Sequence, residues 1–264
     1  MSERKRWSRE ELVIAMNLYC KLSFGQIHYR TPIIIEVSEK LGRTPSSLAM
    51  KLANFASLDP ELQARGIKAL QGASRADREI WREFYENWDD LGCESEEKLQ
   101  LLFDDSPIEI QSTRSKSSSV TKKPKHPPAT TESEANVKVR IGQSFFRETV
   151  LGNYYGRCCI TGNPIPELLV ASHILPWSKY PEHRLDPRNG LCLSKTQDAA
   201  FDRGLITISS DYKIILSSYI RDFLPERTLD ENFGFYSNQQ INLPEKFMPH
   251  PDFLAYHMEE IFIG

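Results

Sequence analysis

Residues 157–207 read RCCITGNPIPELLVASHILPWSKYPEHRLDPRNGLCLSKTQDAAFDRGLIT, and this stretch decides the fold of the C-terminal half of the chain. An apolar run that begins at Leu168 ends at His173, which predicts a strand with a histidine at its edge. An Asn-Gly turn begins at Asn189, and the polar segment 194–202 has the length of a short helix. The predicted order is therefore strand, loop, strand and helix.

The composition of the chain restricts its class. Its 264 residues are 40% hydrophobic and 10% aromatic, which is enough to build proper cores and excludes wholesale disorder. Five cysteines, two of them adjacent, do not form a disulfide framework. The N-terminus has no apolar signal core, and no apolar run is long enough to span a membrane. We therefore expect a soluble protein of the cytoplasm that has no membrane partner.

The first part of the chain predicts three helices. Ser8 caps the first, a Thr-Pro pair at Thr31 starts the second, and a Thr-Pro pair at Thr44 starts the third. The last two helices resemble a helix-turn-helix, and the opening tryptophan at Trp7 is similar to that of Myb-type DNA-binding folds. If this segment binds DNA, exposure and helix position select four contact residues: Arg43, Ser46, Ser47 and Lys51. The alternative is that the three helices pack for their own sake, or that they bind a partner protein.

Two further segments complete this half. Residues 76–91 predict an amphipathic helix with a heavy aromatic face, which indicates a core or a surface for a second subunit. Residues 104–136 are rich in Ser, Thr, Lys and Pro and lack aromatic residues, which is typical of a flexible linker. The chain is thus predicted to divide into a helical targeting domain at 1–103, a disordered linker at 104–136 and a second domain at 137–264.

The second domain contains elements on both sides of the opening stretch. A helix is predicted over 141–155, a hairpin turns at Ser210-Asp211, and a helix of about a dozen residues begins near Pro251. His250 and His257 in this tail are interpreted as surface or packing histidines. The predicted fold class is α+β: an N-terminal all-α helix-turn-helix-like domain, a flexible linker and a C-terminal domain built on strands and helices.

The chemistry of the opening stretch points to hydrolysis. A neutral histidine with a pKa near 6.5 is a suitable base at cellular pH, and His173 at a strand edge is rigidly held. Asn189 either braces the loop by hydrogen bonds or orients the histidine. A helix laid under the strands brings Gln197 or Asp198 towards the same point. A hard divalent ion with oxygen ligands supplies the charge needed at a phosphodiester.

Several separated motifs carry a resemblance to a known family. They are RCxITG, LLVASHIxPW, RLDPRNGLxLS and the segment ending DAAFDRGLIT, and together they resemble the HNH endonucleases in their restriction-endonuclease-like branch. The resemblance covers about residues 140–262 and implies a ββα-metal nuclease fold. By position it implies His173 as general base, Asn189 as middle asparagine and Gln197 as third, metal-binding residue. Ser172 stands where many members have a metal ligand, and Asp198 is a nearby carboxylate.

The sequence departs from the family pattern at two places. The third motif residue is normally histidine, and glutamine here either favours the hard ions Mg²⁺ and Mn²⁺ or marks a weakened site. Many members also carry two Cys-x-x-Cys pairs that bind zinc, but Cys158, Cys159 and Cys192 lack the partners for a tetrad. We therefore expect one divalent ion and no structural zinc, with these cysteines reduced in the core.

These features lead to one functional hypothesis and one rival. The hypothesis is a metal-dependent DNA endonuclease of restriction or phage-defence type, acting on double-stranded DNA with or without modified bases. Three further cations flank the loop before Asn189 and are expected to contact phosphates: Lys179, Arg184 and Arg188. One active site cuts one strand, so a homodimer is expected for a double-strand cut. The rival is a DNA-binding regulator or structural module whose HNH domain is catalytically weakened by Gln197.

Overall fold

The computed structural model describes residues 6–66, 72–103 and 131–264. Most of the predicted linker, at 104–130, lies outside the described residues. A helix begins at Thr131, so the last six residues assigned to the linker are helical. The division of the chain into two domains at 137 stays a prediction.

The described chain is mainly helical and has two small sheets. The helices are α1 Arg9–Lys21, α2 Pro32–Lys40, α3 Pro45–Ala56, α4 Pro60–Ala64, α5 Arg75–Glu86, α6 Trp88–Leu101, α7 Thr131–Asn153, α8 Lys195–Asp202, α9 Ser218–Arg221, α10 Arg227–Asn232 and α11 Pro251–Tyr256. The strands are β1 Leu169–His173, β2 Gly190–Ser194, β3 Ile206–Ile208 and β4 Ile214–Leu216. Each sheet is one antiparallel pair, β1 with β2 and β3 with β4. This arrangement agrees broadly with the predicted α+β class.

Local signals place the first three helices where the sequence predicts them. Ser8 and Glu11 form a capping box at the start of α1, each side chain bonding the backbone N–H of the other residue. Thr44 caps α3 with its hydroxyl. Gly42 has a φ of 63°, the left-handed conformation that ends a helix most easily in glycine. These helix boundaries are confirmed, whereas a DNA-binding role for α2 and α3 stays a prediction.

The aromatic helix predicted over 76–91 is two helices. Asn87 ends α5 and caps α6, with its side chain accepting a bond from the backbone N–H of Asp90. The aromatic face is internal, because Tyr85 and Trp88 both lie against the ring of Phe247 near the C-terminus. The core interpretation of this face is confirmed. Its interpretation as a subunit interface stays a prediction, since Trp81 and Tyr85 are only partly buried.

A buried ion cluster joins the N-terminal helices to α7. Lys21 at the end of α1 is 1% exposed and contacts the carboxylate of Glu96 on α6. Its ammonium group also lies 2.8 Å from Glu148 Oε2 on α7. The two parts of the chain therefore share one hydrophobic core rather than packing separately.

Close backbone approach reinforces the same junction. A Cβ added at Gly152 on α7 would lie 2.1 Å from the carbonyl oxygen of Lys21, so only glycine fits there. The side chain of Lys246, from the C-terminal segment, donates to the carbonyls of Tyr19 and Leu22. Burial lowers the pKa of Lys246 to about 8. Backbone carbonyls at the end of α1 are thus bonded by side chains that come from the opposite half of the sequence.

The C-terminal elements follow the sequence prediction closely. β3 and β4 pair as predicted, with Ile206 opposite Leu216. α11 begins at Pro251 and continues as a π-helical turn at His257–Ile261. No helix in the described part of the chain is both long and apolar enough to cross a membrane.

His257 is a packing histidine, as predicted, and it makes folding stability depend on pH. Its ring is 1% exposed, stacks on Phe201 at 3.7 Å and hydrogen-bonds the hydroxyl of Thr207. Burial lowers its pKa to about 4, below the value of about 6.5 in an unfolded chain. The unfolded state binds the proton more tightly, so stability is lost as pH falls from about 6.5 towards 4.

Because of this histidine, we expect the free energy of unfolding to be about 2 kcal/mol lower at pH 4.5 than at pH 7. Urea unfolding at both pH values measures the loss. His257→Gln should be less stable than wild type at pH 7 but should lack this part of the pH dependence. Equal pH slopes in the two proteins would contradict the assignment.

Candidate active site at the β1–β2 hairpin

The hairpin positions the predicted base at its open end. In the β1–β2 register, His173 is opposite Gly190, and both face α7. A Cβ at Gly190 would lie 2.4 Å from Val150 Cγ2, so glycine is needed for α7 to pack flush on the hairpin. His173 is therefore carried by a rigid strand and covered on one side by a helix.

The ring of His173 is held on three sides. It stacks on Phe146 with ring centroids 4.0 Å apart and planes 9° apart, and the edge of Trp177 lies at 5.2 Å. Its Nε2 is 2.9 Å from the carbonyl oxygen of Arg184. A carbonyl can only accept, so Nε2 carries the proton and Nδ1 keeps the lone pair. This tautomer follows from the acceptor and leaves Nδ1 as the basic atom.

Burial keeps this histidine neutral. Desolvation lowers the pKa of His173 below its ordinary value, and the Arg184 carbonyl partly opposes that effect. A neutral imidazole at pH 7 is the form that can accept a proton. The geometry and the charge state thus suit a general base.

Asn189 ties the loop between the two strands. Its Oδ1 accepts from the backbone N–H of Leu175 at 2.7 Å, and its Nδ2 donates to the carbonyl of His183 at 2.9 Å. Its own carbonyl accepts from Ile174. Of the two roles expected for Asn189, these contacts correspond to bracing the loop.

The predicted metal ligands lie on β1 and α8, which pack against each other. Ser172 is 3% exposed, and its Oγ has no hydrogen-bond partner among the described residues. Gln197 is 1% exposed, and its Nε2 donates to the carbonyl of Asn232 at 3.2 Å, which leaves Oε1 as its acceptor atom. Asp198 is half-buried.

These groups suit a hard ion better than a soft one. Ser172 precedes His173 on β1, and β1 packs against α8, which carries Gln197 and Asp198. A bound cation would give the orphaned Ser172 Oγ a partner, and hydroxyl, amide and carboxylate oxygens are ligands for Mg²⁺ and Mn²⁺. Within the described ranges, no three His, Cys, Asp or Glu side chains group together as a metal site. The protein therefore offers few charged ligands of its own.

Hydroxyl and amide side chains are hydrogen-bonded to one another at the positions where the sequence lacks a zinc-binding cysteine tetrad. Cys158, Cys159 and Cys192 are buried free thiols, as the prediction of core cysteines requires. The hydroxyls of Thr161 and Ser194 lie 3.3 Å apart, and Ser194 also accepts from Asn163 Nδ2. These bonds join the Cys158 turn to the start of α8.

The three residues predicted to contact phosphate differ in their exposure and in their bonds within the protein. Lys179 is exposed. Arg184 is half-buried, lies over the Trp177 ring and donates from Nε to the carbonyl of that residue. Arg188 binds the buried carboxylate of Asp186 through two nitrogens, so its guanidinium is engaged within the protein and its contact with phosphate stays a prediction. Lys179 is the exposed cation of the three.

The two basic residues predicted to contact DNA in the N-terminal segment form ion pairs within the protein. Lys51 is 7% exposed and pairs with the buried Asp77 at 2.7 Å, so its predicted exposure is wrong. Arg43 forms an ion pair with Glu11, so it too is engaged within the protein. Lys51 is the one basic residue of α3, and its involvement in an ion pair leaves the exposed face of this helix without a cation.

Two of the four candidates remain at the surface. Ser46 is exposed and Ser47 is half-buried. Both lie in the first turn of α3, and Met50 one turn further on is 58% exposed. DNA contact by Ser46 and Ser47 stays a prediction.

Sequence reasoning missed the groups that hold the base. Phe146 lies in the helix predicted over 141–155, whose pattern does not show which ring it touches, and the Arg184 carbonyl gives no sequence signal because every residue has one. Leu185 also escaped notice, although it is 3% exposed within a loop. An apolar residue in a polar loop was the one available indication.

A comparison with known protein families finds a match for the segment that contains this hairpin. Residues 158–209 match the family model of the HNH endonuclease. The matched range includes β1, β2, α8 and His173, and it supports a nuclease domain in general terms. A comparison with curated proteins finds none that matches the chain.

Proposed function

We propose that the protein is a metal-dependent DNA endonuclease in which His173 is the general base. The observation that carries the proposal is the 2.9 Å contact between His173 Nε2 and the Arg184 carbonyl, which favours the tautomer with a basic Nδ1. The HNH match over 158–209 supports the same reaction class.

In the proposed reaction, His173 Nδ1 takes a proton from the attacking water as that water forms a bond to phosphorus. Phe146 fixes the ring plane, and Asn189 holds the loop whose carbonyl fixes the ring rotation. A divalent ion held by Gln197, Ser172 and Asp198 would offset negative charge on the phosphate and the leaving oxygen. The imidazolium can then return the proton to the leaving oxygen through solvent.

Plasmid nicking with different ions tests the proposal. We expect wild type to nick DNA with Mg²⁺ or Mn²⁺ and to be weak with Ni²⁺, because an amide oxygen is a hard ligand. Gln197→His should shift the preference towards Ni²⁺ and Mn²⁺. The matched control is Gln239→His, which makes the same change at an exposed glutamine and should leave the ion preference as in wild type. Absence of nicking by wild type with every ion would refute the proposal.

A second candidate is a DNA-binding regulator with a weakened HNH domain. It is favoured by the bond from Gln197 to the Asn232 carbonyl, which ties the amide within the protein. In that case wild type shifts DNA in a binding assay without nicking it, and Gln197→His gains nicking activity. The same set of assays therefore separates the two functions.

Phosphate binding is proposed for Lys179. Each Lys or Arg that neutralises one phosphate contributes a slope of about −0.9 to the dependence of log K on log salt. Lys179→Gln should therefore reduce the slope by about 1 and weaken binding similarly for all sequences. Lys213→Gln is the control, since this lysine is exposed and pairs with Asp211 at the β3–β4 turn. An unchanged slope would show that Lys179 does not contact phosphate.

The biological setting is also part of the proposal. We propose a restriction or phage-defence role in the cytoplasm. The helical segment at 1–103 would then direct the nuclease to its target. One active site per chain cuts one strand, so two copies on DNA are proposed for double-strand cutting. Cutting of modified against unmodified DNA by the purified protein tests whether modified bases are read.

A further inference from the structure

Three consecutive residues of the active-site loop are each held by a different element. Asn189 at the start of β2 binds the carbonyl of His183, and His173 at the end of β1 binds the carbonyl of Arg184. The side chain of Leu185 is 3% exposed and lies next to Gly92 on α6 and Gly142 on α7. The position of the Arg184 carbonyl therefore depends on where Leu185 is seated.

The side chain of Leu185 packs into a space between α6 and α7 that exists because Gly92 and Gly142 have no side chains. A Cβ added at Gly142 on α7 would lie 3.0 Å from Leu185 Cδ1 and 3.2 Å from Cδ2. A Cβ added at Gly92 on α6 would lie 3.2 Å from the same Cδ1 and 2.9 Å from the ring of Phe145. These four distances are shorter than ordinary carbon contacts, so a larger residue at either glycine must displace Leu185 or its neighbours.

Polar contacts from the same helix reach the same loop. The carboxylate of Asp89 on α6 lies near the backbone N–H of Leu185 and near the Arg184 guanidinium, and both groups favour its charged form. Burial raises the pKa of Asp89 to about 6 against these two opposing effects. A cavity of about 320 Å³ opens beside this contact and is bordered by Trp177, so the loop has room to move if its anchor is lost.

From these contacts we infer that the N-terminal helix α6, together with α7, positions the general base: Gly92, Gly142 and Asp89 seat Leu185 and so hold the Arg184 carbonyl on His173 Nε2. The inference deepens the proposed function and rests on it. The N-terminal half then contributes to the chemical step itself, through a loop, in addition to any role in targeting. Leu185 and the two glycines are positioning residues, since none of them touches the reacting atoms.

Gly142→Ala tests the inference. Alanine is about 1 kcal/mol better than glycine inside a helix, which offsets part of the cost of the close contacts, and the unfolding temperature is measured beside kcat. The added methyl nevertheless displaces Leu185. Because misplacement of a base by 1 Å costs about 100-fold, we expect kcat to fall about 10-fold with KM unchanged.

A double variant makes the test specific. The new methyl would meet two Cδ atoms of Leu185 and Cys93 Sγ, the latter at 3.2 Å. Leu185→Val removes the two Cδ atoms, so Gly142→Ala with Leu185→Val should recover part of the lost kcat relative to Gly142→Ala alone. Gly25→Ala is the control, because a methyl there meets nothing within 4 Å. If Gly142 had only a structural role, activity would follow the fraction of folded protein. The effects of the substitutions at Gly142 and Leu185 on kcat would then be independent of each other.

The tautomer of His173 provides a readout that does not require cutting. In nitrogen-15 histidine spectra, assigned by comparison with His173→Asn, wild type should show a protonated Nε2 and an unprotonated Nδ1. Gly142→Ala should show a mixture of tautomers, and the double variant should shift back towards the wild-type pattern. If wild type does not cut DNA, the proposed function fails and the spectra still decide the inference. If wild type cuts DNA and Gly142→Ala matches it in both kcat and tautomer, the inference is overturned alone.

Discussion

Replacing His173 with alanine is expected to lower the rate of DNA cutting about 10²- to 10⁴-fold, because it removes the only group assigned to deprotonate the attacking water. DNA binding should persist, since the imidazole is not a phosphate contact. Rates from single-turnover cleavage, together with a binding assay, separate these two quantities. Cutting at the wild-type rate by the variant would sink the assignment of the base.

Alanine also leaves a space beside Phe146, so a second variant separates chemistry from packing. His173→Gln carries an amide nitrogen about as far from Cβ as imidazole Nε2, so it keeps a donor for the Arg184 carbonyl but has no basic atom. It should cut as slowly as the alanine variant and unfold closer to wild type in urea. His28→Ala is the matched control, because this histidine is exposed and distant in sequence from the hairpin. Both the folding and the cutting of the control should equal those of wild type.

The pH dependence of cutting should follow from the same ring. Burial lowers the pKa of His173, and the neutral form is the active one, so the rate falls only as pH drops through a value below the ordinary 6.5. The acidic limb of the wild-type profile should therefore have its midpoint below about pH 6.5. A midpoint above that value would mean that another group controls the reaction.

Replacing Lys21 with alanine is expected to cost about 3–5 kcal/mol of unfolding free energy, the largest stability effect we predict. The substitution leaves the carboxylates of Glu96 and Glu148 close together without their common cation. Burial already raises the pKa of Glu148, which shows that its charge is poorly solvated. Urea unfolding followed by tryptophan fluorescence measures the change.

A surface lysine and a combined variant serve as controls. Lys98→Ala breaks a pair with Glu10, whose side chain is 74% exposed, and should cost less than about 1 kcal/mol. Lys21→Met combined with Glu96→Gln and Glu148→Gln removes all three charges and should recover much of the loss. A cost below about 1 kcal/mol for Lys21→Ala would show that the cluster does not hold the two parts of the chain together.

Local signals in the sequence predicted much of the fold. The capping box at Ser8, the Thr-Pro start at Thr44 and the left-handed Gly42 depend on residues within a few positions of one another. The β3–β4 hairpin and the start of α11 are determined locally in the same way. The break at Asn87 was missed because the hydrophobic pattern continues through it, and only the cap marks the boundary.

Exposure of charged residues was predicted less well. Lys51 lies on the polar side of its own helix, but Asp77 comes from another helix and pairs with it. Arg188 was expected to contact DNA, and its partner Asp186 stands only two residues away. A helical or loop pattern shows which side of an element a residue occupies, and it does not show what packs against that side.

By itself, the sequence predicted the order of the hairpin and α8 and placed three candidate site residues along it: His173, Asn189 and Gln197. These follow from short-range periodicity, turn residues and motif spacing. Only the tertiary structure decided that α6 and α7 enclose Leu185, that Lys21 unites the two halves, and that His173 uses the carbonyl of Arg184. The physical reason is that these contacts join residues far apart in sequence, and their energies depend on burial, which no local pattern contains.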